Sequence, residues 1–582
     1  MTADNQTRFV PAGTKYSFES WNFELRGDEL ADVHFQGQLI LRSLRCVLRD
    51  EDWNTAPLIL GRMDVSHDRL LLGISSNSYG LRFSGSIVFE AKGNAATYSI
   101  SLLAHSEARV NRLGIVILHS PDLAGSQAQI TRADGAVEAS EFPVLISPSQ
   151  PMMGITKLDW ESGDAQIQLA LIGDIFEMED QRNWTDASYK TYSRPLALPF
   201  PYLVGVGQAI SQSLEIRVKI NSPTIQAHQA EVLELTQLIT APDIQLGAST
   251  APGKFSGSNT PEFPVLVELD LNSSNWEAAL ERAAADELPM DVRLVADAHF
   301  GSEVLKSALE LIAKWKPLRI AVFDKKEHFS NQITHELIME LLRSTGFDFK
   351  VIAGARSHFT ELNRNQDFCR DGISGICFSS TPLFHSLDAA QLVESVAIQR
   401  LTALNALRIA DGLPVHVGPV TLRPRFNNVS THTRVGPTAK DLSLGYGAEF
   451  SQATDQRQFS SGLAAWTLAS YAAFAVEGVA SISWFEQWGP RGVMDSEGLE
   501  YPVLEILRIL EGLSGSQILT SSNPNKLIWA VAVKTPLGWD LLASNIGAEP
   551  VEFGVSIEST TENLRLPALS WRRFELNLRD QP

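Results

Sequence analysis

Val265-Leu-Val-Glu-Leu269 opens the part of the chain that decides the fold. This short run has the length of a strand, and Trp276–Ala285 follows it with apolar residues at helical spacing. The alternation of strand-like and helix-like runs continues beyond residue 480, and it is typical of parallel βα units. The later strand-like runs are Val292–Ala296, Leu318–Phe323, Phe349–Ala353, Ile373–Phe378, Val415–Val420 and Ala480–Phe485.

The number of these runs favours a closed (β/α)8 barrel of the TIM type over residues 263–520. An eighth strand is expected near Ser516–Leu519. A doubly wound open sheet is the alternative, but no GxGxxG turn follows the first strand, as a dinucleotide-binding sheet would require.

The flanking regions predict two further β domains. Residues 1–240 carry runs such as Leu81–Phe89 and Ser213–Ile220, whose period-two alternation predicts a β-sandwich. Residues 241–262 are rich in Ala, Pro, Gly, Ser and Thr and are interpreted as a linker. Residues 521–582 return to strand-like alternation, which predicts a small C-terminal β domain.

The net charge of the chain indicates which kinds of partner it can bind. It has 582 residues, with 48 basic against 68 acidic side chains and a formal net charge of −20. Such a surface repels nucleic acid and anionic membrane, so a small-molecule ligand is expected. Three cysteines, Cys46, Cys369 and Cys377, give neither a disulfide framework nor a zinc-binding pattern.

Sequence motifs for cofactors are not found. The chain has no HExxH or Walker pattern, so no cofactor and no metal are expected, and activity should survive chelation. It also lacks a GxSxG elbow, which disfavours the catalytic serine of an α/β-hydrolase. Met1–Ser17 lacks an apolar signal core, and no run of about 18 apolar residues occurs, so the cytoplasm is the expected compartment. A homo-oligomer is left open.

Polar side chains follow the strand-like runs, and the carboxyl ends of parallel barrel strands meet at one mouth. Glu361 lies beyond the fourth run and Glu486 follows the seventh, where Trp484, Phe485 and Trp488 flank it. Two carboxylates on opposite sides of a sugar ring can act as acid and base, and aromatic rings suit the C–H faces of sugars. Glu361 and Glu486 are therefore the candidate catalytic residues.

A second polar cluster, Phe176-Glu-Met-Glu-Asp-Gln-Arg-Asn-Trp-Thr-Asp-Ala-Ser-Tyr-Lys-Thr-Tyr192, lies outside the barrel. It mixes charges with aromatic rings and fits neither strand nor helix periodicity, so a loop that covers the barrel mouth is predicted. The candidate substrate-binding residues of both regions are Glu179, Asp180, Arg182, Asn183, Asp186, Lys190, Asn363, Arg364, His385, Arg423, Trp488 and Arg491.

This cluster, followed by Arg194-Pro-Leu-Ala-Leu-Pro-Phe-Pro201, resembles the signature of the D-apionate lactonase family of bacterial apiose catabolism. Shorter similar segments are Asp50–Thr55, Asn111–His119, Phe359–Arg364, Val420–Asn427, Ala464–Ser470 and Glu486–Gly492. The resemblance spans nearly the whole chain. It implies the hydrolysis of D-apionolactone, a five-membered branched sugar lactone, to the open acid.

Lactone opening needs an activated water, stabilisation of the carbonyl oxyanion and a proton for the leaving alkoxide. The preferred assignment makes Glu486 the base and Glu361 the acid, with the two roles interchangeable. An arginine fork matches the oxyanion or the product carboxylate, and Arg364, Arg423 and Arg491 are the candidates. Asn183 and Asp186 are expected to bind ring hydroxyls.

The barrel also resembles that of retaining glycosidases, which carry Glu at the ends of the fourth and seventh strands. Those enzymes usually place Asn directly before the acid/base Glu, whereas here Leu362 separates Glu361 from Asn363. A glycoside hydrolase acting on a furanoside is therefore the main alternative function. A carbohydrate-binding or assembly protein with an inactive barrel is the third, and glutamates that lie far apart or in buried ion pairs would favour it.

Overall fold

The computed structural model describes residue 9 and residues 13–220, 232–297, 302–430, 439–447, 453–521, 526–558 and 560–577. These residues form an N-terminal β domain, a central barrel and a C-terminal β domain, which confirms the predicted fold class.

The N-terminal domain is one antiparallel sheet of 17 strands that curls around a single core. Period-two alternation produces this core, as in β8, where Ala96, Tyr98, Ile100 and Leu102 are buried. The strands are β1 (Thr14–Phe18), β2 (Trp21–Arg26), β3 (Glu29–Phe35), β4 (Gln38–Asp50), β5 (Ile59–Val65), β6 (Arg69–Ser78), β7 (Leu81–Lys92), β8 (Ala95–Ala104), β9 (Ala108–His119), β10 (Gln127–Arg132), β11 (Val137–Glu141), β12 (Met152–Ser162), β13 (Ala165–Ile172), β14 (Phe176–Asp180), β15 (Tyr189–Ser193), β16 (Tyr202–Val204) and β17 (Ala209–Ile220).

The central domain is a closed barrel of eight parallel strands. Its strands are nearly fully buried because helices or other layers cover them outside and side chains fill them inside. The strands are β19 (Asp243–Gly247), β20 (Val265–Asp270), β21 (Met290–Ala296), β22 (Arg319–Asp324), β23 (Val351–Gly354), β24 (Ile376–Ser380), β25 (Val415–Val420) and β26 (Val479–Glu486). The described helices are α1 (Trp276–Ala284), α2 (Ser302–Ile312), α3 (Gln332–Thr345), α4 (Phe359–Arg364), α5 (Ala389–Ala410), α6 (Ser461–Phe474) and α7 (Val503–Glu511).

The first barrel strand lies where the sequence analysis placed a linker. Asp243–Gly247 pairs in parallel with both β20 and β26 and so closes the barrel, which makes the linker interpretation of 241–262 wrong for this segment. Five residues flanked by Ala, Pro, Gly and Ser give too little periodicity to reveal a strand. The strand expected near Ser516–Leu519 belongs instead to the C-terminal sheet.

This difference changes the positions of the two candidate glutamates. Counted from β19, Glu361 lies beyond the fifth strand, in α4, and Glu486 is the last residue of the eighth strand. The expected correspondence with the fourth and seventh strands of retaining glycosidases is therefore wrong.

The C-terminal domain is a seven-stranded sheet that takes one strand from before the barrel. Residues 232–240, placed by the sequence analysis in the N-terminal domain, pair with the strand after α7 and, in parallel, with residues 554–557. Their alternation is that of any half-buried strand and does not specify which sheet they join. The strands are β18 (Val232–Thr240), β27 (Gln517–Ser521), β28 (Ile528–Thr535), β29 (Gly538–Asn545), β30 (Val551–Ile557), β31 (Thr560–Leu566) and β32 (Ser570–Asn577).

Candidate active site

The segment that carries the long polar motif is a hairpin that reaches the barrel mouth, as its composition predicts. Strands β14 and β15 are joined by a 3-10 turn at Gln181–Trp184. Thr360 Oγ1, in α4, donates to the Asn183 carbonyl at 3.1 Å. Thr185 Oγ1 lies 3.5 Å from Oγ of Ser380, the last residue of β24. The hairpin therefore lies against the loops that follow the fifth and sixth barrel strands.

An aromatic cluster forms at this contact. The Trp184 ring from the hairpin stacks on Phe384, with ring centroids 4.7 Å apart and planes only 3° from parallel. His358 and His385 approach the same indole edge-on at 5.3 and 5.7 Å. Rings contributed by two domains thus make an apolar wall of the kind against which sugar C–H groups pack.

Asp186 and His385 form a carboxylate–imidazole pair across the domain boundary. Asp186 Oδ2 lies 2.8 Å from Nδ1 of His385, and Oδ1 accepts a hydrogen bond from Gln391 Nε2 at 3.1 Å. Burial lowers the pKa of His385, and Asp186 raises it only in part, while the nearby charges of Lys190 and Arg49 lower it further. The imidazole is therefore neutral near pH 7, and the carboxylate fixes its orientation.

Glu361 lies in the first turn of α4, beside this wall. Its Oε2 accepts the backbone N–H of His358 at 3.2 Å, and its Oε1 accepts Nδ2 of Asn428 at 2.8 Å. Burial raises the pKa of Glu361, although the hydrogen bond from Asn428 opposes that effect. A buried carboxyl with a raised pKa is suited to hold a proton and deliver it.

Glu486 is held in a separate hydrogen-bond group at the end of β26. Thr250 donates to it twice, from Oγ1 at 2.7 Å and from the backbone N–H at 3.1 Å. Arg491 Nη2 lies 2.8 Å from its Oε1, and only 10% of the glutamate side chain is exposed. Glu486 is thus part of a buried ion pair, and no described hydrogen bond or ion pair links it to the group around Glu361.

A charged cluster forms around Glu268. Glu268, inside β20, lies 2.6 Å from Nη2 of Arg356 and 3.1 Å from Nη1 of Arg425. Burial alone would raise the pKa of Glu268, but Arg356 and then Arg425 lower it to about 2. The Arg356 guanidinium also lies over the Phe426 ring. Its Nη1 atom is 3.3 Å from Nδ1 of His328.

Several charged residues of the hairpin are engaged within the protein. Asp180 and Arg182 form an almost fully buried ion pair of 2.7 Å, and the guanidinium also donates to the Pro143 carbonyl at 2.7 Å. Lys190 Nζ lies 2.5 Å from Glu179. These contacts stabilise the hairpin and its connection to the preceding loop.

Asn183 and Asn363 connect the two domains. Asn363 Nδ2 donates to Oδ1 of Asn183 at 2.8 Å and to the Ile146 carbonyl at 3.0 Å. Asn183 Nδ2 in turn donates to the carbonyls of Ser147 and Asp180. Asn183 is 3% exposed and Asn363 1%, so both amides are largely occupied by protein contacts.

The remaining predicted residues make no direct contact with the Asp186–His385 pair. Arg364 is exposed, donates to the Pro148 carbonyl at 3.2 Å and lies over the Trp184 ring, 5.9 Å from its centroid. Arg423 forms an ion pair with Asp455 at 2.9 Å. Trp488 packs against Phe255, on the side of the mouth where Glu486 lies. The structure thus brings Asp186, His385 and Glu361 to one wall and distributes the others around it.

Several polar groups of the barrel are missing from the candidate residues predicted above. Glu268 lies within a barrel strand, and the loops that follow barrel strands carry Arg356, His358, Arg425 and Asn428. The sequence does mark Glu268 as unusual, because it is a charged residue between the apolar residues of its strand. The importance of the others comes from contacts between distant loops, which no local pattern shows.

The described residues show neither a cluster of metal ligands nor a helix able to span a membrane. No group of three or more His, Cys, Asp or Glu side chains in this part of the chain is arranged to hold a metal ion. Among the helices in the described ranges, none has both the length and the apolar character needed to span a membrane.

Two family models match the chain. The model of the D-apionate lactonase N-terminal domain matches residues 1–221, and that of the D-apionate lactonase TIM barrel domain matches residues 260–515. The two matches cover the curled sheet and most of the barrel, and so include the hairpin, α4 and β26.

Relatives were also found at the level of whole chains. A D-apionate lactonase from Brucella anthropi is 23% identical over 552 residues, which is 87% of this chain and 89% of that protein. Among solved structures, a beta-arabinopyranosidase is 10% identical with a TM-score of 0.27 and covers 97% of this chain and 98% of its own. An endoxylanase from Clostridium papyrosolvens is 10% identical with a TM-score of 0.35 and covers 59% of this chain and 98% of its own.

Proposed function

The chain belongs to the D-apionate lactonase family, and from this membership we propose that it hydrolyses D-apionolactone to the open sugar acid. The observation that supports a site for this reaction is the pair of Asp186 and His385, which joins the hairpin to the barrel mouth at 2.8 Å. The pair lies on an aromatic wall that suits a small sugar ring.

In the proposed mechanism, His385 is the general base. Its neutral imidazole takes a proton from water as the water oxygen attacks the lactone carbonyl carbon. Asp186 holds the ring in one orientation and stabilises the imidazolium that forms. The result is a tetrahedral intermediate with negative charge on the former carbonyl oxygen.

Glu361 is the proposed general acid for the second step. The bond between the carbonyl carbon and the ring oxygen breaks, and the leaving alkoxide takes the proton of the Glu361 carboxyl. Burial favours the protonated form of this group, and burial also favours the neutral form of His385. The environments therefore move the two pKa values in the directions that base and acid require.

Glu486 has a different role in this proposal. Its ion pair with Arg491 and its two hydrogen bonds from Thr250 leave it as a buried, compensated anion. Such a group holds the loop after β19 in place, because removal of either partner of the pair would leave an uncompensated buried charge. A glycosidase mechanism that uses Glu361 and Glu486 as a facing pair gains no support from their separate hydrogen-bond groups.

Turnover of two substrates tests the proposal. The wild-type protein should hydrolyse D-apionolactone above the spontaneous rate and leave a nitrophenyl furanoside intact, and His385→Gln should abolish the enzymatic part. Asp388→Asn is the matched control, since Asp388 is exposed at the start of α5, three residues from His385. Furanoside turnover without lactonase activity would contradict the proposal.

A further inference from the structure

Two arginines face each other on the N-terminal sheet, and no acidic side chain in the described part of the chain forms an ion pair with either. Arg49 of β4 and Arg112 of β9 are directly paired in the antiparallel register. Their neighbours Leu48 and Leu113 point into the domain core, so the two guanidiniums leave from the opposite face of the sheet. Arg112 is only 4% exposed.

The contacts of these two guanidiniums, of which that of Arg112 is buried and that of Arg49 partly buried, are unusual for arginines with so little exposure. Arg112 lies over the Tyr192 ring, 3.4 Å from its centroid, and 5.5 Å from that of Trp53. Within the described ranges, neither Arg49 nor Arg112 makes a side-chain hydrogen bond or ion pair, and both Nε atoms are buried without a partner.

Two other arginines of β4 do have acidic partners. Arg42 lies 2.9 Å from Glu394 of α5, and Arg45 lies 3.2 Å from Asp28. A buried charge without a counter-ion is strongly unfavourable, so proteins rarely keep one unless a ligand completes the site.

The acids near the arginine pair are already engaged. Glu179 pairs with Lys190 and Asp186 with His385, while Glu177 accepts the Tyr192 hydroxyl at 2.5 Å. Burial, and then the charge of Arg112, lowers the pKa of Arg49 to about 10. The carboxylates of Glu179 and Asp186 oppose this shift only in part, and neither makes a direct contact with the two guanidiniums.

The arginine pair borders the proposed active site. The charges of Arg49 and Lys190 act on the His385 imidazole. The loop after β4, which carries Trp53, also touches the barrel, because Asn427 Nδ2 donates to the Asp52 carbonyl at 3.0 Å. An anion between the guanidiniums would thus lie where the hairpin, this loop and the barrel meet.

We propose that Arg49 and Arg112 form an anion subsite that binds the carboxylate of a small hydroxylated acid, which is the product class if the proposed lactone hydrolysis holds. Two guanidinium forks match the two oxygens of a carboxylate, and the planar Arg112 is already oriented by the rings on which it stacks.

The subsite has a consequence for the reaction. The lactone is neutral, whereas the tetrahedral intermediate and the ring-opened acid are anions. Cations that have no partner in the free protein attract the reacting group more strongly as its charge develops. The pair therefore favours the transition state and the product over the substrate.

Arg49→Met and Arg112→Met test the subsite, with Arg45→Met as the matched control on the same face of β4. Methionine keeps the apolar stem and removes the charge. Binding of sodium D-apionate, of its neutral alditol and of sodium sulfate is measured by calorimetry, and the melting temperature is measured with and without each compound.

For wild type and Arg45→Met, we expect D-apionate to bind and to raise the melting temperature. In Arg49→Met and Arg112→Met, binding should weaken at least about tenfold, as for the loss of a charge-assisted contact. Their melting temperature without ligand should stay equal or rise, because an unpaired buried charge is removed. A purely structural role for the arginines predicts a fall instead.

Unchanged D-apionate binding in both methionine variants overturns the subsite, even if the wild type hydrolyses the lactone. Binding that depends on the arginines supports the subsite, even if no lactone is turned over, in which case the proposed function alone fails. If sulfate stabilises the wild type as strongly as D-apionate and loses its effect in the same variants, the assignment to a hydroxylated carboxylate is overturned.

Discussion

Asp186 Oδ2 lies 2.8 Å from Nδ1 of His385, although the two residues are 199 positions apart in the chain. The carboxylate comes from the N-terminal hairpin and the imidazole from the loop after the sixth barrel strand. Neither domain alone holds both groups, so the proposed active site depends on how the two domains pack.

Asp186→Asn tests whether this contact orients a catalytic base. An amide in place of the carboxylate presents an N–H to the imidazole, which favours the wrong tautomer and no longer stabilises the imidazolium. We expect kcat to fall by about 10²–10⁴ while the melting temperature changes little. Steady-state kinetics with the lactone and a thermal melt measure the two effects; full activity in this variant would show that the pair is structural.

The dependence of kcat/KM on pH follows from the two shifted groups. Since the pKa of His385 is lowered from 6.5, activity should rise with pH through a value below 6.5 as the base loses its proton. Since the pKa of Glu361 is raised from 4.5, activity should fall as the pH rises through a value above 4.5 and the acid loses its proton.

The pH profiles of two variants show which residue causes the rise and which causes the fall in kcat/KM. The spontaneous hydrolysis of the lactone is subtracted at each pH. Glu361→Gln should remove the fall at high pH, and Asp186→Asn should move the rise to lower pH because the imidazolium loses its stabilising carboxylate. A fall at high pH that persists in Glu361→Gln belongs to another group and contradicts the assignment of the acid.

Glu361→Gln and Glu486→Gln separate the two candidate glutamates. Glu361→Gln should lower kcat about 10²–10⁴-fold with a small change in stability, because it removes the proton donor. Glu486→Gln breaks the buried pair with Arg491 and should cost about 3–5 kcal/mol of stability. Unfolding in urea and kinetics on the folded fraction measure both. Loss of activity without loss of stability in Glu486→Gln would restore the sequence-based assignment of Glu486 as a catalytic group.

The sequence predicts the barrel well because its signal is repeated. In each long βα unit, such as β20 followed by α1, the spacing of the apolar residues changes from that of a strand to that of a helix. Because this change is repeated along the domain, an error at one boundary does not alter the predicted fold. Asp243–Gly247 was missed because one short strand before the first helix has no such support. Its pairing with β26 closes the barrel from the other end of the domain, which is a tertiary contact.

The sequence predicts several residues of the candidate site but not the contacts between them. The polar and aromatic composition of the hairpin marked Asp186, and the position after a strand marked His385. Their pairing, the stacking of Trp184 on Phe384 and the burial that shifts the pKa of Glu361 arise only when distant segments pack together. Glu268 was passed over because strand alternation also explains a single polar residue.

Binding of the product anion should depend on pH through Lys190. Burial lowers the pKa of Lys190 to about 8, with Glu179 opposing the shift and Arg112 and Arg49 adding to it. Lys190 therefore contributes a full positive charge below pH 7 and loses it as the pH rises through 8. Because the charge attracts an anion, the affinity for D-apionate should fall between pH 7 and 9.

Lys190→Arg checks this assignment, because a guanidinium keeps its charge through that range. Tyr192 and His385 also face the ammonium, but the pKa of the first is raised and that of the second is lowered, so neither titrates near pH 8. Calorimetric titrations at several pH values should show the fall in the wild type and its loss in the variant. An identical fall in both proteins would assign it to another group.

Asn183 should prove to be a residue that holds the domains together rather than one that binds ring hydroxyls. Its side-chain amide donates to the backbone carbonyls of Ser147 and Asp180 and accepts a hydrogen bond from Asn363. Its backbone carbonyl accepts a hydrogen bond from the Thr360 hydroxyl. Alanine removes the side-chain bonds and leaves buried groups unsatisfied, at a cost of about 1–3 kcal/mol each. The melting temperature of Asn183→Ala should therefore fall by several degrees.

The same variant should keep most of its kcat/KM at temperatures where it is folded, because the Asp186–His385 contact involves neither Asn183 nor Asn363. Asn363→Ala is the matched partner, since it removes the other half of that 2.8 Å hydrogen bond. If Asn183 acts through Asn363, the double variant should lose less stability than the sum of the two single losses. A large loss of kcat/KM in Asn183→Ala with an unchanged melting temperature would instead place its amide on the substrate.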